Sequence, residues 1–212
     1  MSSVKRFSLI EVPMHWLENG DQCYHYGDYT AEGGWEAGDT NRWIKNLKKK
    51  PTAKQGELYY KNQAYTYWAN LIRPLLPADK LTGVTFVPMP GSKPVGHPEY
   101  DPRMLRVLEN YAQGDPRLDI RPVLRQTVER PGQHEGGGRL SPGEIAADLE
   151  IEQAQLAKGP LRAMVFLMDD VVTMGASFKA AQSKLLGIPN VRQVRGIFLA
   201  RTVWKDPFED EF

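Results

Sequence analysis

Val165-Phe166-Leu167-Met168-Asp169-Asp170-Val171-Val172-Thr173-Met174-Gly175-Ala176-Ser177 is the stretch on which the fold turns. Its four opening apolar residues are too few for a helix and read as a strand buried on both faces. Two aspartates end that strand and place two carboxylates at its carboxyl edge. A short turn follows, with hydroxyls at Thr173 and Ser177 and a glycine at Gly175. Residues 178–186 then read as a helix, with Phe178, Ala181, Leu185 and Leu186 on its apolar face. Gly187 and Pro189 close it. Strand, acidic edge, hydroxylated turn and helix, in that order, describe a binding site at the carboxyl end of a parallel sheet.

The chemistry that suits such a turn is narrow. Backbone N–H groups of residues 173–177 point into a concavity at the start of a helix, which favours an anion. Gly175 lets the backbone approach that anion, and Thr173 and Ser177 add donors. Two carboxylates beside a phosphate suit the vicinal hydroxyls of a sugar or a hydrated Mg2+. Together these groups describe a site for a phosphorylated ribose.

The same residues resemble the phosphoribosyl-pyrophosphate (PRPP) signature of type I phosphoribosyltransferases: four hydrophobics, two acids, two hydrophobics, then Thr-x-Gly-x-Thr/Ser. Met174 departs from it where many members carry a second threonine. The resemblance implies an α/β fold, type I phosphoribosyltransferase-like, with a mainly parallel central sheet flanked by helices and a small N-terminal hood. It implies transfer of the 5-phosphoribosyl group from PRPP to a nitrogenous acceptor, with Mg2+-assisted release of pyrophosphate. Asp169 and Asp170 are then the catalytic acids, holding the ribose hydroxyls and touching the metal indirectly, through ribose or water. Val172, Thr173, Met174, Gly175, Ala176 and Ser177 cradle the 5′-phosphate. A buried strand that ends in acids without this role, as in receiver domains, is the plain alternative. The P-loop ATPases drop out, because no G-x-x-x-x-G-K-[ST] occurs.

Composition sets the outer bounds. The 212 residues carry a formal net charge of +1, which fits one medium domain and argues against a dedicated nucleic-acid binder. A single cysteine, Cys23, excludes an intramolecular disulfide and a cysteine-rich zinc site, and fits a reducing compartment. No apolar run reaches membrane-spanning length. A soluble cytoplasmic protein without a membrane partner is expected.

Upstream, residues 7–13 and 23–29 read as strands of a small antiparallel sheet joined through Glu18-Asn19-Gly20-Asp21. A short helix over 41–47 ends in Lys48-Lys49-Lys50, which reads as a solvated helix end. Residues 1–56 form the expected hood or appendage, 57–203 the core and 204–212 a tail. A long helix over 57–76 has Leu58, Tyr60, Ala64, Tyr67, Trp68, Leu71, Ile72 and Leu75 near helical period. Val84-Thr85-Phe86-Val87-Pro88-Met89-Pro90 reads as a second buried strand, followed by Gly91-Ser92-Lys93. In the resembled family the loop at this place binds pyrophosphate, a role that falls to Gly91, Ser92 and Lys93. Val87-Pro88-Met89-Pro90 and Pro131-Gly132-Gln133-His134 resemble the ComF-like branch, whose N-terminal zinc module this chain lacks.

A helix over 103–112, a strand over 119–124 and a final strand over 194–201 complete the pattern. Residues 126–143 are polar, without periodicity, and contain Gly136-Gly137-Gly138. Family members have a mobile loop here that closes over PRPP, so Arg130, His134 and Arg139 are expected to meet the diphosphate. The implied partners are PRPP and a small-molecule acceptor, a nucleobase in many members, and the family is often homodimeric. Two rival readings stay open: a non-catalytic PRPP or nucleotide sensor with the same fold, and a hydrolase in which water replaces the acceptor.

Overall fold

The computed structural model describes residues 8–11, 14–75, 82–130 and 140–204. Its strands are β1 (Ser8–Leu9), β2 (Cys23–Thr30), β3 (Val84–Pro88), β4 (Asp119–Ile120), β5 (Leu124–Gln126), β6 (Leu149–Ile151), β7 (Met164–Val172) and β8 (Gln193–Val203). Its helices are α1 (Asp39–Leu47), α2 (Gln55–Ile72), α3 (Arg103–Ala112), α4 (Pro142–Ala147), α5 (Gln153–Leu156) and α6 (Ala176–Leu186), with a 3-10 turn at Arg73–Leu75. Six strands form one sheet in the order β1-β2-β8-β7-β3-β4. Every neighbouring pair is parallel except β1 with β2. The protein is therefore an α/β fold with a mostly parallel sheet covered by helices.

The pleat divides the core into two layers. Val165 and Leu167 face Phe178, Ala181 and Leu185 of α6 and Ile145 of α4. Phe166 and Met168 face the other way, toward Ile44 and Leu47 of α1, Trp68 and Ile72 of α2, and Val107 and Leu108 of α3. A strand buried on both faces has no polar side, which is why β7 and β3 read as unbroken apolar runs. The helices over 103–112 and 178–186 form as the sequence predicts, although Leu186 is exposed. Tyr60 also faces solvent, because the buried stripe of α2 passes through Lys61, Ala64, Trp68 and Ile72 instead.

Three expectations change. The aspartates do not end their strand: β7 runs on to Val172, paired with β8 through Asp169↔Phe198 and Val172↔Arg201. What ends at this point is β3, whose last pair is Pro88↔Met168; beyond the Met89 amide, which donates to Met168 O at 2.8 Å, the Asp170 amide donates to the Asp169 carboxylate rather than to the departing strand. The strand expected over 119–124 splits at Pro122, where the chain makes a tight turn: the Val123 amide donates to Arg121 O at 2.8 Å instead of continuing the ladder to β3. β4 pairs with β3, and β5 leaves the sheet to pair antiparallel with β6. Finally, the N-terminal strands are not a separate antiparallel sheet. β2 pairs parallel to β8 from Cys23↔Gly196 to Thr30↔Val203, so it extends the central sheet.

The strand order places the acids. From β3 the chain crosses through α3 to β4 at one edge; from β7 it crosses through α6 to β8 in the other direction. The carboxyl ends of β3 and β7 thus flank a point where the winding reverses, and such points open into a crevice.

Candidate functional site

Because β3 departs at Pro88, the last residues of β7 have β8 as their one strand neighbour, and their side chains stand at the crevice. Asp169 and Asp170 point to opposite faces, as successive strand residues must. Asp170 lies on the side of the α1–α3 layer. Its Oδ1 is 3.3 Å from Lys48 Nζ at the end of α1, and its Oδ2 accepts a hydrogen bond of 2.9 Å from Arg103 Nη1 in the first turn of α3. Asp169 Oδ1 accepts from the Asp170 amide at 2.7 Å.

This asymmetry separates the two carboxyls electrostatically. Burial, followed by the repulsion of the neighbouring Asp170 carboxylate, pushes Asp169 up to about 7. Burial works against the Asp170 charge too, but Lys48 and Arg103 outweigh it and hold this acid below the usual carboxylate range. One acid is poised near neutrality and the other is firmly charged, the division by which paired carboxyls take different roles.

The turn expected to cradle a phosphate has the right frame and an added neighbour. Gly175 sits at φ 87° as the N-cap of α6, with no side-chain cap, so the first amides of that helix have no capping side chain. The Ser177 hydroxyl has no hydrogen-bond partner among the described residues, whereas Thr173 Oγ1 lies 2.7 Å from Thr202 Oγ1. The added neighbour is residues 14–17. Trp16 N donates to Met174 O at 2.9 Å, and a Cβ on residue 175 would stand 2.6 Å from Leu17 Cδ2. Glycine at 175 thus satisfies both a left-handed backbone and a close approach by Leu17.

The loop after β3 reaches the same edge. Gly91 packs against the Asp101 carbonyl, which a Cβ would meet at 3.0 Å. Ser92 O accepts from Arg130 N at 2.9 Å, and Lys93 pairs with Glu129, which His97 Nε2 also approaches at 3.5 Å. Arg130 Nε is buried without a hydrogen-bond partner among the described residues. Burial holds this guanidinium below its ordinary value, and the carboxylates of Asp169 and Asp148 act in the opposite sense. The structure therefore brings Gly91, Ser92, Lys93 and Arg130 together. His134 and Arg139 lie outside the described residues.

Two cations in the crevice had no signal in the sequence. Lys48 belongs to a lysine run that reads as a solvated helix end, and Arg103 to the polar start of a helix. Only the tertiary approach of α1 and α3 to β7 puts them on Asp170.

The donor set does not fit a Mg2+ held by protein. Both Asp170 oxygens face cations, one Asp169 oxygen is taken by an amide, and no cluster of three metal-ligating side chains occurs among the described residues. Cys23 offers no nucleophile either, since burial lifts its thiol to about 12. Among the described residues, no helix is long and apolar enough to cross a membrane. No protein-family model matches the chain, and no curated protein matches it in sequence.

Proposed function

We propose that the protein transfers a 5-phosphoribosyl group from PRPP to a nitrogenous acceptor. The C1–O bond to pyrophosphate breaks, a C1–N bond forms, and pyrophosphate leaves with the bonding pair. The observation that carries this reading is the juxtaposition, at the reversal point of a parallel sheet, of the Asp169-Asp170 edge with the uncapped start of α6 at Gly175. In this reading the amides of residues 174–177 take the 5′-phosphate, and the carboxylates take the ribose hydroxyls and favour a cationic sugar. Lys93 and Arg130 balance the departing pyrophosphate. Mg2+ would enter with the substrate's own phosphates and would there supply Lewis-acid charge to the leaving group.

A second reading keeps the ligand and drops the transfer. It is favoured by one observation: both oxygens of Asp170 already face cations, an arrangement that suits a site for sensing PRPP without turnover. Isothermal titration with PRPP, with and without Mg2+, followed by pyrophosphate release across a panel of bases, separates the two. Binding with release for one base supports transfer, and binding without release for any supports sensing. Absence of binding removes both.

A further inference from the structure

Behind Asp170 lies a ring of charges. Lys61 on α2 is 3% exposed, an unusual place for a lysine. Its ammonium donates to Leu47 O and Lys49 O, each at 2.6 Å, and to Asp101 Oδ2 at 2.8 Å. The two carbonyls belong to the end of α1, where the helix dipole favours a cation. The same Asp101 Oδ2 forms an ion pair at 3.0 Å with Arg103 Nε, which is buried and makes no hydrogen bond among the described residues, and Arg103 Nη1 reaches Asp170 Oδ2. Lys48, carried on that same end of α1, closes the ring on Asp170 Oδ1. Asp101 Oδ1 is buried without a hydrogen-bond partner among the described residues, so this aspartate leans on Lys61 and Arg103.

The two cations on Asp170 are unequal. Arg103 is 20% exposed and fixed on two carboxylates, whereas Lys48 is 40% exposed. Burial opposes the Arg103 charge, but Asp170, Asp101 and Asp169 outweigh it and raise the guanidinium above its ordinary value. A ligand hydroxyl arriving from the crevice meets the exposed cation first.

We infer that Lys61 is a positioning residue for Asp170. Through Asp101 it fixes Arg103 to one carboxylate oxygen from behind, and through the end of α1 it presents Lys48 as an exchangeable partner on the other. Oδ1 is then the oxygen that a ligand hydroxyl takes when Lys48 moves aside. The assignment of that hydroxyl to ribose rests on the proposed function; the ring itself does not.

The test reads the ring without relying on activity. In protein labelled with 15N at arginine, the Arg103 Nε–H signal is identified by its loss in Arg103→Lys. It is expected to exchange slowly in the wild type and to persist in Lys48→Met. In Lys61→Met it is expected to shift and exchange at least about tenfold faster, and Lys61→Arg is expected to restore it. Where Lys61→Met does not fold, Asp101→Asn breaks the same link with little change of shape. An unchanged Arg103 signal in Lys61→Met or Asp101→Asn overturns the proposal, as does its loss in Lys48→Met. Titration with PRPP is the second arm: Kd is expected to weaken about tenfold in Lys61→Met and to recover in Lys61→Arg. A wild type that does not bind PRPP overturns the phosphoribosyl reading, and the Arg103 signal alone then decides the ring.

Discussion

Asp169 and Asp170 are neighbours in sequence with opposite shifts, because the pleat turns Asp170 toward Lys48 and Arg103 and leaves Asp169 beside a charge of its own sign. The consequence for stability has a definite sign. Asp169, raised to about 7 from 3.8, favours the folded state fully below its unfolded value, and that contribution is lost as pH rises through about 7. Asp170, lowered from 3.8, contributes above its unfolded value and loses that contribution as pH falls further. Asp169→Asn stays neutral throughout, so it is expected to be more stable than the wild type at pH 8, by about 1–2 kcal/mol, and to match it near pH 4. Urea denaturation at the two pH values measures this, and equal stability at pH 8 would mean that Asp169 ionises freely. Asp170→Asn keeps the shape but leaves Lys48 and Arg103 facing a neutral amide. A loss of about 1–3 kcal/mol in stability is expected. Pyrophosphate release is expected to fall at least about a hundredfold, more than unfolding at assay temperature accounts for. Unchanged turnover would take the acid out of the mechanism. Gly175→Ala combines a strained φ of 87° with a clash against Leu17, and is expected to cost about 2–4 kcal/mol in the same denaturation assay.

At the scale of elements, the parts legible in the sequence are those that local pattern decides. The apolar run 165–168 specifies a doubly buried strand, and Thr173-Met174-Gly175 a turn into a helix. Asp101-Pro102 before Arg103 marks the start of α3. What pattern does not carry is the company an element keeps. Nothing in Cys23-Tyr24-His25-Tyr26 indicates that this strand lies beside β8, some 170 residues on. Lys61 sits at helical spacing from Ala64 and Trp68, yet its charge marks it as solvent-facing until Asp101 is brought to it from the β3–α3 connection. The segment before β2 shows the same limit. Asp21 accepts from Lys179 and Gln182 of α6, while the backbone of Trp16 and the side chain of Leu17 lie over the turn that precedes that helix. Burial would raise Asp21, but its hydrogen bonds to the Glu18 amide, Gln182 and Lys179 outweigh this and hold it below the usual carboxylate range. Asp21→Ala is therefore expected to cost about 1–3 kcal/mol by urea denaturation. A change within about 0.5 kcal/mol would show that residues 14–21 stay on α6 without this aspartate.

At the scale of the whole molecule, the sheet bears on whether residues 57–203, the core expected from the sequence, can stand without the first 56. β8 is flanked by β7 on one side and β2 on the other, and Ile197, Phe198, Leu199 and Ala200 are buried on both faces. Removing residues 1–56 leaves β8 with a long unpaired edge, the kind of surface that recruits other chains. It also strips Ile44 and Leu47 of α1 from the layer built on α2 and α3. Lys61 loses the carbonyls of Leu47 and Lys49, leaving a buried ammonium with Asp101 as the remaining partner of those three. These losses fall on both layers of the core and reinforce one another. The fragment 57–203 is therefore expected to aggregate or to remain without cooperative structure, and the full chain to unfold in one transition by circular dichroism in urea. Because β2 and β8 come from opposite ends of the chain, their pairing is also expected to form late, giving refolding slow for a domain of this size. A fragment that instead unfolds cooperatively, with the helix and strand content of the full protein, would make the first 56 residues an appendage on an independent core, and β2 a strand the sheet can spare.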